Sequence, residues 1–154
     1  MAMRDDIEEI NNDIYQNVNN GVYRSGFATR ADAYEQVVHQ LFAALDRLEL
    51  RLSSNRYLLD DRLTEADWRL FTTLIRFDAV YVGHFKCNIR RIVDYPALSG
   101  YMRELYQMSG IADTVNMKHI KYHYYASHLN INPTGIVPAG PEQDFSAAHG
   151  RDHL

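Results

Sequence analysis

The stretch Leu63-Thr64-Glu65-Ala66-Asp67-Trp68-Arg69-Leu70-Phe71 constrains this chain more than any other. Thr64 has the position of a helix N-cap, its hydroxyl accepting the N–H of the third helical residue. Asp67, three residues on, can reach back to the N–H of Thr64. The pair makes a capping box with Asp in place of the usual Glu. Leu63 and Trp68 have the spacing of a hydrophobic staple. Leu70, Phe71, Leu74, Ile75 and Asp78 then run down one side at helical spacing, which predicts a buried helix over about 64–81. The expected cost of Asp67→Ala is about 1–3 kcal/mol, because a buried donor loses its partner. A box of this kind fits any capped helix, so the rest of the chain decides what it means.

Helical patterns fill most of that remainder. Residues 4–18 place Ile7, Ile10, Ile14 and Val18 on one face, with acids in the first turn. Asn17-Val18-Asn19-Asn20-Gly21 predicts a stop, and Val22 to Phe27 a loop carrying two aromatics. Thr29, with Asp32 three residues later, predicts the cap of a long helix over 30–53, striped by Tyr34, Val37, Val38, Leu41, Phe42, Leu45, Leu48 and Leu52. Asp94 and Pro96 suit the start of another helix, ended by Ser109-Gly110. A last helix runs from near Ile111 to Ser127, and an extended tail follows from Asn130. The expectation is an all-α domain, a bundle of about five helices over residues 1–128, with an extended tail over 129–154.

Several functions are disfavoured. The 154 residues carry a net charge of -4 with both signs interspersed, which argues against a nucleic-acid partner. No apolar run approaches the ~20 residues that span a bilayer. Cys87 is the single cysteine, so no intrachain disulfide forms, and a cytoplasmic setting is expected. Lys86 beside it could lower its pKa, yet no base or second thiol is in sight. His119 and His123 share a helix face without a third ligand fixed by spacing, so no metal site is expected.

Taken together the residues resemble the glutathionyl-hydroquinone reductases, the xi-class, omega-like glutathione transferases. The box lies on the central buried helix of a glutathione transferase C-terminal domain. More specific are the stretch Ile14-Tyr15-Gln16-Asn17-Val18-Asn19-Asn20-Gly21-Val22-Tyr23, the run Arg76-Phe77-Asp78 with Val80-Tyr81, and His84-Phe85-Lys86-Cys87. Tyr106-Gln107-Met108, Ile131-Asn132-Pro133-Thr134-Gly135 and His149-Gly150-Arg151-Asp152 complete the set. The departure is that family members carry an N-terminal thioredoxin-like domain with a nucleophilic cysteine. No βαβ pattern precedes residue 4, and Cys87 lies in the wrong element. The chain therefore looks like the second half of such an enzyme, and alone it is expected to be inactive.

The resemblance implies a glutathione-dependent reaction. A cysteine thiolate of the absent domain attacks the sulfur of a glutathionyl-hydroquinone, and a second glutathione resolves the mixed disulfide. Tyr23 and Tyr124 match the family's substrate-side tyrosines, with Phe27, Arg76, Tyr81 and His84 as further lining. Thr64 and Asp67 are structural. The implied partners are the thioredoxin-like domain, a second copy in a homodimer, and an aromatic hydroquinone, with glutathione as co-substrate. A docking module or aromatic-ligand carrier of the same helical fold is the competing reading.

Overall fold

A computed structural model describes residues 2–154; Met1, the first residue of the expected helical domain, lies outside the described residues. Among the described residues the fold is all-α, with five helical rods. The first joins α1 (Ala2–Ile14), a π turn (Tyr15–Asn19) and α2 (Asn20–Gly26). The second is α3 (Ala31–Leu52). The third joins α4 (Glu65–Arg76), a second π turn (Phe77–Tyr81) and α5 (Val82–His84). The last two are α6 (Pro96–Gln107) and α7 (Met117–Ser127). Among the described residues the only bridges between extended segments are the isolated pairs Tyr57 with Asp60 and Leu59 with Arg62.

α4 lies at the centre, as its box predicts. Asp67 is fully buried and its Oδ2 accepts the Thr64 N–H at 2.7 Å and the Thr64 hydroxyl at 3.0 Å. Its other oxygen accepts the Leu58 N–H at 2.9 Å and the Tyr101 hydroxyl at 2.8 Å. One carboxylate thus ties the 57–62 turn and α6 to the head of α4. Leu63 stays exposed, so the expected staple adds little burial; Trp68 packs edge-on against Phe71 instead.

The expected stop at 17–21 is not a stop. The first rod continues through it, and Tyr23 is helical. Ile10, Ile14, Val18 and Val22 are all buried at strict four-residue spacing. In an α-helix each step of four overshoots a turn by about 40°. A π turn, bonded i to i+5, takes up the surplus and keeps the stripe on the core. Asn19 then serves inside the fold, donating to the Thr73 hydroxyl at 2.6 Å and the Arg69 carbonyl at 3.1 Å.

Three helix starts also differ. α3 begins after Arg30 rather than Thr29, and Asp32 accepts the Ala33 N–H at 2.9 Å while pairing with Arg30. Asp94 does not cap α6. It is taken by the Arg91 guanidinium and N–H, and the cap comes from α3: the two Glu49 oxygens accept the Ala97 and Leu98 N–H groups, each at 2.8 Å. Pro96 does open the helix. α7 starts at Met117, where the Asn116 side chain accepts the His119 N–H at 3.0 Å; residues 112–114 form a separate 3-10 turn.

The tail after α7 has no regular element but is pinned. Gln107 donates to the Phe145 and Ala147 carbonyls, both at 2.8 Å. Arg151 is buried and binds Glu104 at 3.0 Å, and it donates to the carbonyls of Leu52, Asn55 and Arg56. Among the described residues no helix is long and apolar enough to cross a membrane.

Candidate functional site

A cleft of about 550 Å³ opens between the first rod, α4 and α7. Tyr23, Tyr81, Tyr124 and Arg76 all line it. Tyr23 comes from α2, Tyr81 from the second π turn and Tyr124 from α7. The Tyr23 and Tyr124 hydroxyls lie 2.6 Å apart, although 101 residues separate them in sequence. The Tyr81 hydroxyl is 2.9 Å from that of Tyr124, and Tyr23 acts on it as well. The three phenols thus form one cluster, with Tyr124 bonded to both of the others.

Burial keeps the inner two phenols protonated. Tyr81 is pushed far above the ordinary phenol range, first by burial and then by the neighbouring Tyr124. Tyr124 is pushed up to about 12, by burial and by its bond to Tyr23, with Tyr81 and the Arg76 cation acting in the opposite direction. Both are hydrogen-bond donors at neutral pH, not bases. Arg76 is anchored by a 2.6 Å bond to the Thr72 carbonyl and brings positive potential to the cleft.

Phe27 and His84, expected in the same pocket, do not line it. They belong to an aromatic layer behind it. Phe85 lies parallel to Tyr81 at 5.5 Å and packs on Tyr23 at 5.3 Å. Phe27 rests on Phe85 and His128. The His84 Nε2 is 3.1 Å from the Nδ1 of His128, so the layer is tied to the end of α7. Gly26 makes room for this layer, since a Cβ there would lie 2.1 Å from the Phe85 ring.

The histidine pair carries a pH prediction. His84 is buried and its pKa falls from 6.5 to about 4, chiefly through burial, with His128 and Lys86 adding to it. Its folded pKa therefore lies below its unfolded one. The folded state binds fewer protons between those values, so stability is unaffected above about pH 6.5 and falls as the pH drops toward 4. The expected loss is about 1–3 kcal/mol, the upper figure discounted for water at the His128 edge. Urea unfolding at pH 7 and pH 4.5 checks it against His84→Gln, whose pH dependence should be shallower by that amount. Equal slopes for the two proteins would refute it.

Cys87 is buried, and its thiol is pushed up to about 12 by burial, which outweighs the pull of Ser25 and Lys86. The expectation that Lys86 could activate it is corrected: adjacency in sequence matters less than loss of water. Tyr15, Asn19, Trp68, Arg69 and Thr73 also line the cleft and were not expected there. A signal for them exists. Tyr15, Asn19 and Tyr23 stand four apart, as do Trp68, Thr72 and Arg76. Reading a helix break at Asn20-Gly21 hides the first set.

The Glutathione S-transferase, C-terminal domain model matches residues 31–104. Fold, buried box and flanking cleft together define an all-helical domain of the glutathione transferase C-terminal kind. The chain is 56% identical to the glutathionyl-hydroquinone reductase YqjG of Escherichia coli, over 98% of this chain and 46% of that protein. It is 56% identical to the glutathionyl-hydroquinone reductase PcpF of Sphingobium chlorophenolicum, over 91% of this chain and 45% of that protein. The glutathione-bound structure of YqjG superposes with a TM-score of 0.96, covering 98% of this chain and 49% of the other. A xi-class transferase from Natrialba magadii superposes at 0.94 with 51% identity, covering 96% and 45%. This domain is therefore homologous to the glutathionyl-hydroquinone reductases, the xi-class, omega-like members of the transferase family. The chain spans about half the length of the curated relatives it matches.

Proposed function

We propose that residues 1–128 form the substrate-side domain of a glutathione-dependent reductase of glutathionyl-hydroquinones, with residues 129–154 as its anchored tail. The observation that carries this reading is the meeting of the Tyr23 and Tyr124 hydroxyls, 2.6 Å apart, at the cleft. The nucleophile is a cysteine thiolate of a thioredoxin-like partner domain. It attacks the conjugate's sulfur, so an S–S bond forms as the C–S bond breaks. In the conjugate's keto tautomer the carbon bearing sulfur already carries the proton that stays on the product, so the C–S electron pair passes through the ring to the carbonyl oxygen, which becomes a phenolate and is protonated on release. Phenol donors beside Arg76 suit that charge. A second glutathione thiolate then releases glutathione disulfide and restores the cysteine. Buried, protonated Cys87 takes no part. The same reading carries a cytoplasmic homodimer assembled largely through this domain.

The test is glutathione-dependent release of hydroquinone from its glutathionyl conjugate. The chain alone is expected to give none, the chain joined to a thioredoxin-like domain is expected to turn over, and Cys87→Ser is expected to leave that turnover unchanged. Turnover by the chain alone that disappears in Cys87→Ser would move the nucleophile into this domain and overturn the assignment.

A further inference from the structure

A second hollow, of about 190 Å³, lies beside the cleft. The two share Trp68, Thr72 and Arg76, which stand four apart and form one ridge along α4. The cleft lies on the Arg69 and Thr73 side of that ridge, and the second hollow on the Phe71 and Ile75 side. The far wall of the second hollow is Ile111 and Val115, which flank the 3-10 turn before α7, with Ile120 from α7 itself. Ile120 and Tyr124 are one turn apart, about 6 Å along α7. The same two helices therefore carry both hollows side by side.

The second hollow suits an apolar group. Phe71 and Ile75 are buried, and Ile111, Val115 and Ile120 pack against the core. Its two threonines spend their hydroxyls on backbone: Thr72 donates to the Arg69 carbonyl at 2.9 Å and Thr114 to the Ile111 carbonyl at 2.7 Å. The Arg76 guanidinium, the one charge on the ridge, acts on Tyr124 in the cleft. Among the described residues, no buried side-chain atom without a hydrogen-bond partner lines this hollow. A polar group entering it would give up water without recompense. Size sets a second limit: a cavity of about 150 Å³ holds a benzene, so this one has room for about six carbons. The way in crosses Thr72, the small residue of the ridge between Trp68 and Arg76. A flexible chain can turn over that notch, whereas a fused second ring is fixed in the plane of the first.

We infer that the second hollow takes an aliphatic substituent of the substrate's ring, so that the domain prefers alkyl-substituted hydroquinones with up to about six side-chain carbons. The inference rests on the substrate-side reading and adds a substrate class to it. The ring stays in the cleft at Tyr23 and Tyr124, and the chain crosses Thr72 into the apolar pocket. Val115 and Ile120 then set the length and bulk of the chain accepted.

The test is binding of hydroquinone and 2-butylhydroquinone, both kept reduced with ascorbate, to this chain. Trp68 lines both hollows and is the single tryptophan, so its fluorescence reports on either. Each buried carbon tightens binding about fourfold. Fixing the chain's rotations takes back part of that gain, so the butyl compound is expected to bind about thirtyfold more tightly than hydroquinone. Val115→Phe fills the pocket from its far wall, away from the cleft. It is expected to cut the preference to about threefold or less, and to leave hydroquinone itself bound as before. Should Val115→Phe fail to fold, Ile120→Ala reads the same wall by widening it. On the native chain 2-octylhydroquinone is expected to bind no more tightly than 2-hexylhydroquinone, and in Ile120→Ala it is expected to bind more tightly. No preference for the butyl compound, a preference that survives Val115→Phe, or no gain for the octyl compound in Ile120→Ala would each overturn the inference and leave the substrate-side reading intact. If hydroquinone does not bind, or binds Tyr23→Phe as well as the native chain, the substrate-side reading fails and the inference with it.

Discussion

Asp67→Ala is expected to destabilise the domain by about 3–5 kcal/mol, beyond the loss of one cap. The carboxylate accepts four hydrogen bonds, from the Leu58 N–H, the Thr64 N–H and hydroxyl, and the Tyr101 hydroxyl. Leu58 and Tyr101 are fully buried, so water cannot replace the lost acceptor there. Each buried donor left unpaired costs about 1–3 kcal/mol, and local relaxation recovers part of the sum. A protein of this length should lose roughly 10–15 °C of melting temperature. Asp67→Asn keeps one carbonyl acceptor and should fall between the two. Urea unfolding of the three proteins decides the matter. A loss under about 1 kcal/mol for the alanine variant would mean that the four bonds contribute little net free energy.

The second large effect is on rate. With the thioredoxin-like domain joined, Tyr23→Phe or Tyr124→Phe should lower kcat by about 10²–10³, or roughly 2.7–4 kcal/mol of barrier, as for loss of an oxyanion donor. The rings stay in place and only a hydroxyl leaves. Because the charge to be stabilised develops only as the C–S bond breaks, kcat should fall more than KM rises. The two effects should not add, since the two hydroxyls are bonded to each other. Steady-state turnover of a glutathionyl-hydroquinone with each variant and the double variant measures both points. Unchanged kcat in both single variants would reduce these tyrosines to packing residues.

What was legible in the sequence was mostly local. The Thr64–Asp67 box is written in adjacent residues, and its geometry is as read. The apolar stripe of α3 follows from spacing alone, with Val38, Leu41, Phe42, Leu45, Leu48 and Leu52 all buried. The cap of α6 was not legible, because its donor groups meet Glu49, which lies 48 residues earlier in the chain. Asn20-Gly21 misled for a different reason. The pair favours left-handed backbone in isolation, but Gly21 is buried inside a helix that packing holds continuous. The proximity of Tyr23 to Tyr124 has no local signature and entered only through family resemblance. Tyr81 joins them from the second π turn, which spacing does not announce. For Cys87 the sequence shows the neighbouring Lys86 but not the burial that outweighs it, and the absence of a base or second thiol is the better guide to its chemistry.

The first π turn, Tyr15–Asn19, makes chain length there a matter of angular phase. A π turn holds one residue more than the α-helical path needs. Omitting a residue would let the backbone close into plain α-helix with everything beyond in nearly the same phase, whereas straightening the π turn at constant length would turn everything beyond by about 100° and carry it on by about 1.5 Å. Ile10 and Ile14 would stay on the core in both cases, and only the straightened turn would swing Tyr23 off the cleft. The interval from Tyr15 to Tyr23 therefore behaves like a loop of slack in a cord: one residue can be taken out more readily than the turn can be pulled straight.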